Sequence, residues 1–447
     1  MVAIIYGTFS ILAIVALAFQ FLALKTKTQL SSGNNPQFKK FQYSFFLVYF
    51  MALFSDWLQG PYVYKLYSYY GFASSQIALL YVVGFASSGI FGTLTGSLAD
   101  KFGRKKIAVA FCVLYSLCCF TKLSSKFYWL FIGRVFGGIS TSMLFSTFES
   151  WYVYEHTQTY DFPSEWISVT LSRSTFWNGL LAINAGIFAN VFAETLDFGP
   201  VSPFMLAIPF LAIACVLIIK TWNENYGNQQ INVRHSCMEG LRTILFSENI
   251  LYLGIIQSLF EANMYIFVFQ WTPILEPVHP PLGIVFACFM VCIMIGSSLY
   301  SILLSKKYTS ESLLLISVSM CIVAMVICIF STLKGKEHIY ISFASFLILE
   351  VAVGIYFPAI GYLRSQVIPE DLRAGIMNWF RLPTNTITCA ALLLLHNDTL
   401  ISSTQAMFTI CAIMMLFAFF CNLKLNNLLS KERKDNLDKV PLLSTEK

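Results

Sequence analysis

The chain has 447 residues, of which 57% are hydrophobic and only 12% charged, and its mean hydropathy is +0.68. That composition excludes an ordinary soluble domain and describes a polytopic membrane protein. The net charge of +6 does not indicate a nucleic-acid partner, because positive charge gathers on the cytoplasmic loops of such proteins.

The first apolar run covers residues 2–24; no basic residue precedes it, and Lys25 and Lys27 follow it. A signal peptide carries its charge in front, so an uncleaved helix with its N-terminus outside is expected, a cleaved leader being the alternative. Residues 25–42 read as a polar cytoplasmic connector. Six apolar runs follow at about 43–62, 74–99, 106–122, 127–148, 173–196 and 201–220, making a first half over 43–220. A polar linker is expected over 221–249. Six more runs, at about 250–270, 282–304, 312–332, 340–362, 374–395 and 402–422, make a second half over 250–422, and 423–447 is a charged cytoplasmic tail. Each run is long enough to cross a hydrocarbon core of about 30 Å.

Lysine and arginine test the orientation. Of the 29, 22 fall in segments this topology assigns to the cytoplasm and 5 in outer loops, leaving Arg134 and Arg381 inside spans. The bias favours an odd number of spans with the tail inside. Nearly all of the 12 cysteines lie in apolar runs; only Cys237 lies in a long polar loop, and there is no C-x-x-C, so neither a disulfide framework nor a zinc site is indicated. Asn397-Asp-Thr399 is a glycosylation acceptor sequence on an outer loop too short to hold it clear of the bilayer.

The turn Gly96-Ser-Leu-Ala-Asp-Lys-Phe-Gly-Arg-Lys-Lys106 joins two spans through a short, strongly basic reversal. Gly96 allows close helix approach and Gly103 a sharp change of direction. The spacing resembles the signature loop between the second and third helices of major facilitator superfamily transporters. An all-α fold of two six-helix halves plus one extra N-terminal helix is therefore expected. Arg134-Val-Phe-Gly-Gly138 and Glu350-Val-Ala-Val-Gly354 occupy the fourth helix of each half, with opposite charges, as a duplicated unit would.

Further stretches narrow the resemblance: Asp56-Trp-Leu-Gln-Gly-Pro-Tyr62, Leu114-Tyr-Ser-Leu-Cys-Cys-Phe-Thr-Lys-Leu-Ser124, Glu149-Ser-Trp-Tyr-Val-Tyr-Glu-His156, Phe162-Pro-Ser-Glu-Trp-Ile167, Phe176-Trp-Asn178 and Asn378-Trp-Phe-Arg381. Over about residues 2–422 the chain is similar to the molybdate-anion transporter family (major facilitator superfamily domain-containing protein 5-like), and departs from it in the tail and in 221–240. The resemblance implies import of molybdate across the plasma membrane. It also places Asp56, Arg134, Glu261 and Glu350 on the helices that line a central cavity. Composition and spacing by themselves leave three readings open: an oxyanion carrier, a carrier of a sugar or organic anion, and a non-transporting receptor on the same fold.

An ionisable side chain in a span costs about 2.5–3.5 kcal/mol on insertion scales, and six stand out: Asp56, Arg134, Glu149, Glu261, Glu350 and Arg381. At about 1.5 Å per residue, Asp56 and Arg134 lie about 9 and 10 Å inside the outer ends of their helices, so an ion pair between them is expected. Glu261 and Glu350 fall near mid-helix, where two carboxylates could share a proton. Arg381 is the first choice for binding an anion, Arg134 the second, with the Asn178 and Asn378 amides as further donors. Helix-packing bonds are the competing reading for both asparagines. Asp100, Gly103 and Arg104 belong to a gate, as does Glu149, which could pair with Arg104 or Arg173.

No phosphate-binding glycine loop, H-E-x-x-H or G-x-S-x-G is present, so neither an enzyme nor ATP-driven transport is expected. No cofactor or metal is implied, the bilayer and the solute are the expected partners, and a monomer is the expected state. Epitope tags at residue 1 and residue 447 should be labelled from opposite sides of intact cells; labelling of both from one side contradicts the charge count.

Overall fold

The structure is a computed structural model, described over residues 1–26, 35–227, 233–333, 338–369, 372–394 and 404–439. Asn397-Asp-Thr399, Lys27, Lys334, Lys336 and parts of the connector, linker and tail lie outside the described residues, and every element among those described is helical. In chain order these are α1 (Val2–Thr26), α2 (Pro36–Gln59), α3 (Val63–Tyr69), α4 (Ser74–Phe102), α5 (Arg104–Thr121), α6 (Phe127–Tyr154), α7 (Glu165–Asn190) and α8 (Ser202–Thr221). Then come α9 (Val233–Phe246), α10 (Glu248–Leu275), α11 (Leu282–Ser305), α12 (Ser310–Ser331), α13 (Ile339–Val367), α14 (Arg373–Leu394) and α15 (Thr404–Lys439).

Ten of these helices are long and apolar enough to cross a membrane, among the described residues. Helices α2, α5 and α14 complete the thirteen expected spans but are more polar. Helix α5 opens with Arg104-Lys105-Lys106, and α14 carries Arg373, Asn378, Arg381 and Asn385. Several helices outrun the apolar stretch that marks them. Helix α2 starts at Pro36 rather than near residue 43, because Asn35 caps it: its side chain accepts from the amides of Gln37 (2.9 Å) and Phe38 (3.2 Å). Helix α13 continues to Val367 and so carries Arg364, which lies beyond its apolar run. The expected linker contains an amphipathic helix, α9, set against α14 near Gly240 and Gly375.

Helices α2 and α4–α8 form one bundle and α10–α15 the other, meeting along α4 with α14 and α7 with α11. Small residues bring helices together where lipid gives no hydrophobic drive. A Cβ on Gly138 of α6 would sit 2.8 Å from the Ser87 side chain of α4, and one on Gly354 of α13 would sit 2.9 Å from the Cα of Gly296 on α11. The fourth helix of each bundle thus closes on the second through an equivalent glycine. Arg134 and Glu350, four residues earlier in each, also meet that second helix, at Leu80 and beside Cys292.

Helix α1 lies along α11, where Ser298 Oγ donates to Gln20 Oε1 at 2.9 Å, and turns Ile11, Ile14 and Leu17 outward. At the end away from the basic loops the halves are tied by Lys65 to Glu276 (2.5 Å) and by the Leu282 amide to Glu194 (3.2 Å), with Phe269 edge-on to Tyr64 and Tyr81. Gly361, on α13 with nothing within 4 Å, provides a control for the glycine contacts. Gly354→Ala should lower the melting temperature of purified protein through a clash costing about 1–3 kcal/mol, whereas Gly361→Ala should leave it unchanged or raise it slightly.

Candidate functional site

A cavity of about 430 Å³ lies between the bundles. Six ionisable cationic or carboxylic side chains line it: Asp56, Lys122 and Arg134 from the first half, Glu261, Arg364 and Arg381 from the second. Four cations against two carboxylates leave a formal surplus of +2. Gly84, Gly137 and Gly138 thin the wall formed by α4 and α6, and Trp57, Phe85 and Tyr265 supply ring surface.

On the first-half wall the expected Asp56–Arg134 ion pair is not formed. Tyr115, from α5, donates its hydroxyl to Asp56 instead. The Arg134 Nε donates to the Leu80 carbonyl at 3.0 Å, and its guanidinium lies 5.0 Å from the centre of the Tyr81 ring. Matching depth does not ensure pairing: Arg134 is on the face of α6 that packs against α4, and Gly84 gives its guanidinium room there. Lys122 sits 2% exposed at the end of α5, its Nζ donating to the Tyr67 hydroxyl at 2.6 Å.

On the second-half wall Glu261 accepts from the Tyr356 hydroxyl at 3.3 Å and from Gln257. The expected sharing of a proton between Glu261 and Glu350 does not fit the geometry. Glu350 is buried where α13 meets α11, beside Cys292, and is not among the cavity-lining residues. Arg381 projects from α14 toward α4, where a methyl on Gly92 would lie 3.7 Å from its Nη1. Among the described residues neither a hydrogen bond nor an ion pair holds that guanidinium.

Of the two asparagines, Asn178 stands one bond behind the cavity wall, its Oδ1 accepting from Trp57 Nε1 at 2.8 Å. Asn378 is half-buried, one turn before Arg381, and does not line the cavity. Lys122 and Arg364 were read from sequence as loop residues. Lys122 meets Tyr67, and Arg364 lies two turns beyond Tyr356 on α13.

The basic turn forms a separate cluster at the far end of the first half. Arg104 Nη2 pairs with Asp100 Oδ1 at 2.7 Å, and Nη1 donates to the Ser150 carbonyl at 3.0 Å. The backbone reverses at Gly103 with φ +107°, where a side chain would strike the Glu224 carboxylate, which accepts from the Lys105 amide at 2.8 Å. The Asp100 and Asn225 carbonyls further tie the turn to residues 225–227. Glu149 is exposed and pairs with neither Arg104 nor Arg173: Arg104 is taken by Asp100, and Arg173 donates to Gln42 Oε1 at 2.7 Å. Among the described residues no cluster of histidine, cysteine and carboxylates could hold a metal ion.

A family model described as sugar transporters with 12 transmembrane helices matches residues 4–348. Solved structures share the fold at low identity. A POT family transporter in complex with a thioalcohol-conjugated peptide superposes with a TM-score of 0.70 at 12% identity, covering 92% of this chain and 99% of that one. The nucleoside transporter NupG gives a TM-score of 0.65 at 14% identity, covering 86% and 98%. Much nearer in sequence are the molybdate-anion transporter of Xenopus tropicalis, 44% identical over 98% of this chain and 97% of that protein, and that of Xenopus laevis, 46% identical over 90% of each. The Danio rerio molybdate-anion transporter is 41% identical over 94% of this chain and 95% of its own length. With identity of this order spread over nearly the whole length, on a fold of two six-helix halves and an added first helix, the chain belongs to the molybdate-anion transporter family of the major facilitator superfamily.

Proposed function

We propose that the chain imports molybdate across the plasma membrane by secondary transport, with the cavity as its binding site and its N-terminus outside. The observation that carries this reading is the formal +2 surplus of the cavity wall, with Arg381 facing the cavity. A divalent oxyanion leaving water needs fixed donors and positive charge in place of its hydration shell. It matches that surplus, and its oxygens suit the guanidinium fork. A neutral sugar would leave the surplus standing.

The ties joining the halves at the outer end, Lys65–Glu276 and Glu194 with the Leu282 amide, close the cavity on that side. This is the arrangement of a carrier ready to release its cargo inward. The Asp100–Arg104 clamp belongs to the gate, holding the basic turn to the end of α6 and to residues 225–227.

Molybdate uptake into proteoliposomes, with and without a pH gradient, tests the function. Flux that molybdate neither provides nor inhibits would favour the sugar-carrier reading of the family model, and no flux of any solute a receptor. Arg381→Ala should abolish uptake, and Arg381→Lys, which keeps the charge and loses the fork, should weaken it about tenfold. If Arg381→Ala and Arg134→Ala both bind molybdate as tightly as the parent, the arginines are structural. Asp100→Asn should slow uptake several-fold and leave molybdate affinity unchanged, as breaking a clamp does; equal loss of affinity and rate would place Asp100 in the binding site instead.

A further inference from the structure

Arg364 stands out because nothing in the loop reading of the sequence gave it a role. It is carried into the cavity by the last turns of α13, on the same stripe as Tyr356 and Ile360. Among the described residues its Nη1 meets only the Met377 sulfur, at 3.9 Å. A thioether is a weak acceptor, so it leaves most of the guanidinium's five donors unused. Arg381 is on the adjoining helix α14, one turn beyond Met377. Both guanidiniums act electrostatically on the Glu261 carboxylate, Arg364 more strongly, yet among the described residues neither closes an ion pair with it.

Two guanidiniums and one carboxylate thus share a cavity at distances too long for direct pairing. A second observation points to a ligand in the gap. Gln257 is 1% exposed and lines the same cavity, and its Oε1 has no partner among the described residues although the same amide group bonds Glu261. Uncompensated charge and an orphan polar atom in one enclosed space are the signature of a site built for an occupant.

We propose that Arg364 is the second guanidinium of the oxyanion site, acting with Arg381, and that the Glu261 carboxylate is the internal anion that the substrate displaces. This rests on the molybdate-carrier reading above. In the empty carrier Glu261 offsets part of the positive charge. A divalent anion placed between the arginines would face that carboxylate at close range, so Glu261 takes a proton or swings toward Tyr356 as the substrate enters. The charged and titratable groups facing Glu261 are Arg364 and Tyr356 from α13, Arg381 from α14 and Tyr265 from its own helix; α15, packed along α10, adds none. Both guanidiniums stay charged at any working pH, so of these three groups Glu261 is the one through which protons reach substrate affinity, whereas Asp56, the other carboxylate of the cavity, is held by Tyr115 on the opposite wall.

The test is equilibrium binding of molybdate to purified full-length protein, run from about pH 8 down to about pH 6, on species that elute as monodisperse. For the parent, binding should tighten as the pH falls. Arg364→Met should weaken it roughly 10- to 100-fold, the loss expected for a charge-assisted bond, and Arg364→Lys should recover only part. Glu261→Gln should bind at least as tightly as the parent at the alkaline end and lose the pH dependence. If the parent binds molybdate and both Arg364 variants bind as it does, Arg364 is not part of the site, and the proposed function stands. If Arg364→Met does not fold, Glu261→Gln decides: an unchanged pH profile overturns the displacement. A parent that neither binds nor carries molybdate removes the proposed function itself.

Discussion

A guanidinium enclosed between apolar helices is tolerable only while something close by answers its charge. The cavity is arranged around that constraint. Arg134 is answered by a backbone carbonyl and an aromatic face, Lys122 by a tyrosine hydroxyl, and Asp56 by another tyrosine. On the other wall the balance is left open: Arg364 and Arg381 feel Glu261 without pairing to it. The first half is therefore a settled wall and the second a wall with unspent positive charge, so open charge is unequally divided between halves that share one fold.

The division follows from duplication. Arg134 and Glu350 hold equivalent places four residues before equivalent glycines, yet only Arg134 reaches the cavity. Helix α1 lies along α11 of the second half, whereas Gly84 opens space beside α4 in the first. Repeats diverge where their neighbours differ, and the charges at those places have diverged with them.

Much of this was legible in the residues. Thirteen apolar runs, a charge bias and the Gly96–Lys106 turn define the number and order of the expected membrane helices, and the cost of buried charge singles out six residues, of which Asp56, Arg134, Glu261 and Arg381 line the cavity and Glu149 and Glu350 do not. Partners were less legible. Depth along a helix follows from counting residues, but azimuth depends on packing, so Asp56 and Arg134 share a height and not a bond. Hydropathy marks where a chain stops being apolar, not where it stops being helical. Arg364 was assigned to a loop for that reason, although α13 carries it inward, and Lys122, just past the end of α5, is turned inward to Tyr67. Asn178, read as a substrate donor with a helix-packing bond as the alternative, holds Trp57 in the wall.

Helix α1 precedes the first half in the chain but is fastened to the second, along α11. At the other end of the first half, α9 is fastened to α14. The first bundle is thus tied at both ends to its partner, and the chain between Thr26 and Asn35 sets how far α1 and α2 can lie apart. Between Thr26 and Asn35 that stretch reaches at most about 30 Å when fully drawn out. An added helix fastened in this way sets an upper bound on how far the two bundles can part, whatever the charges between them favour.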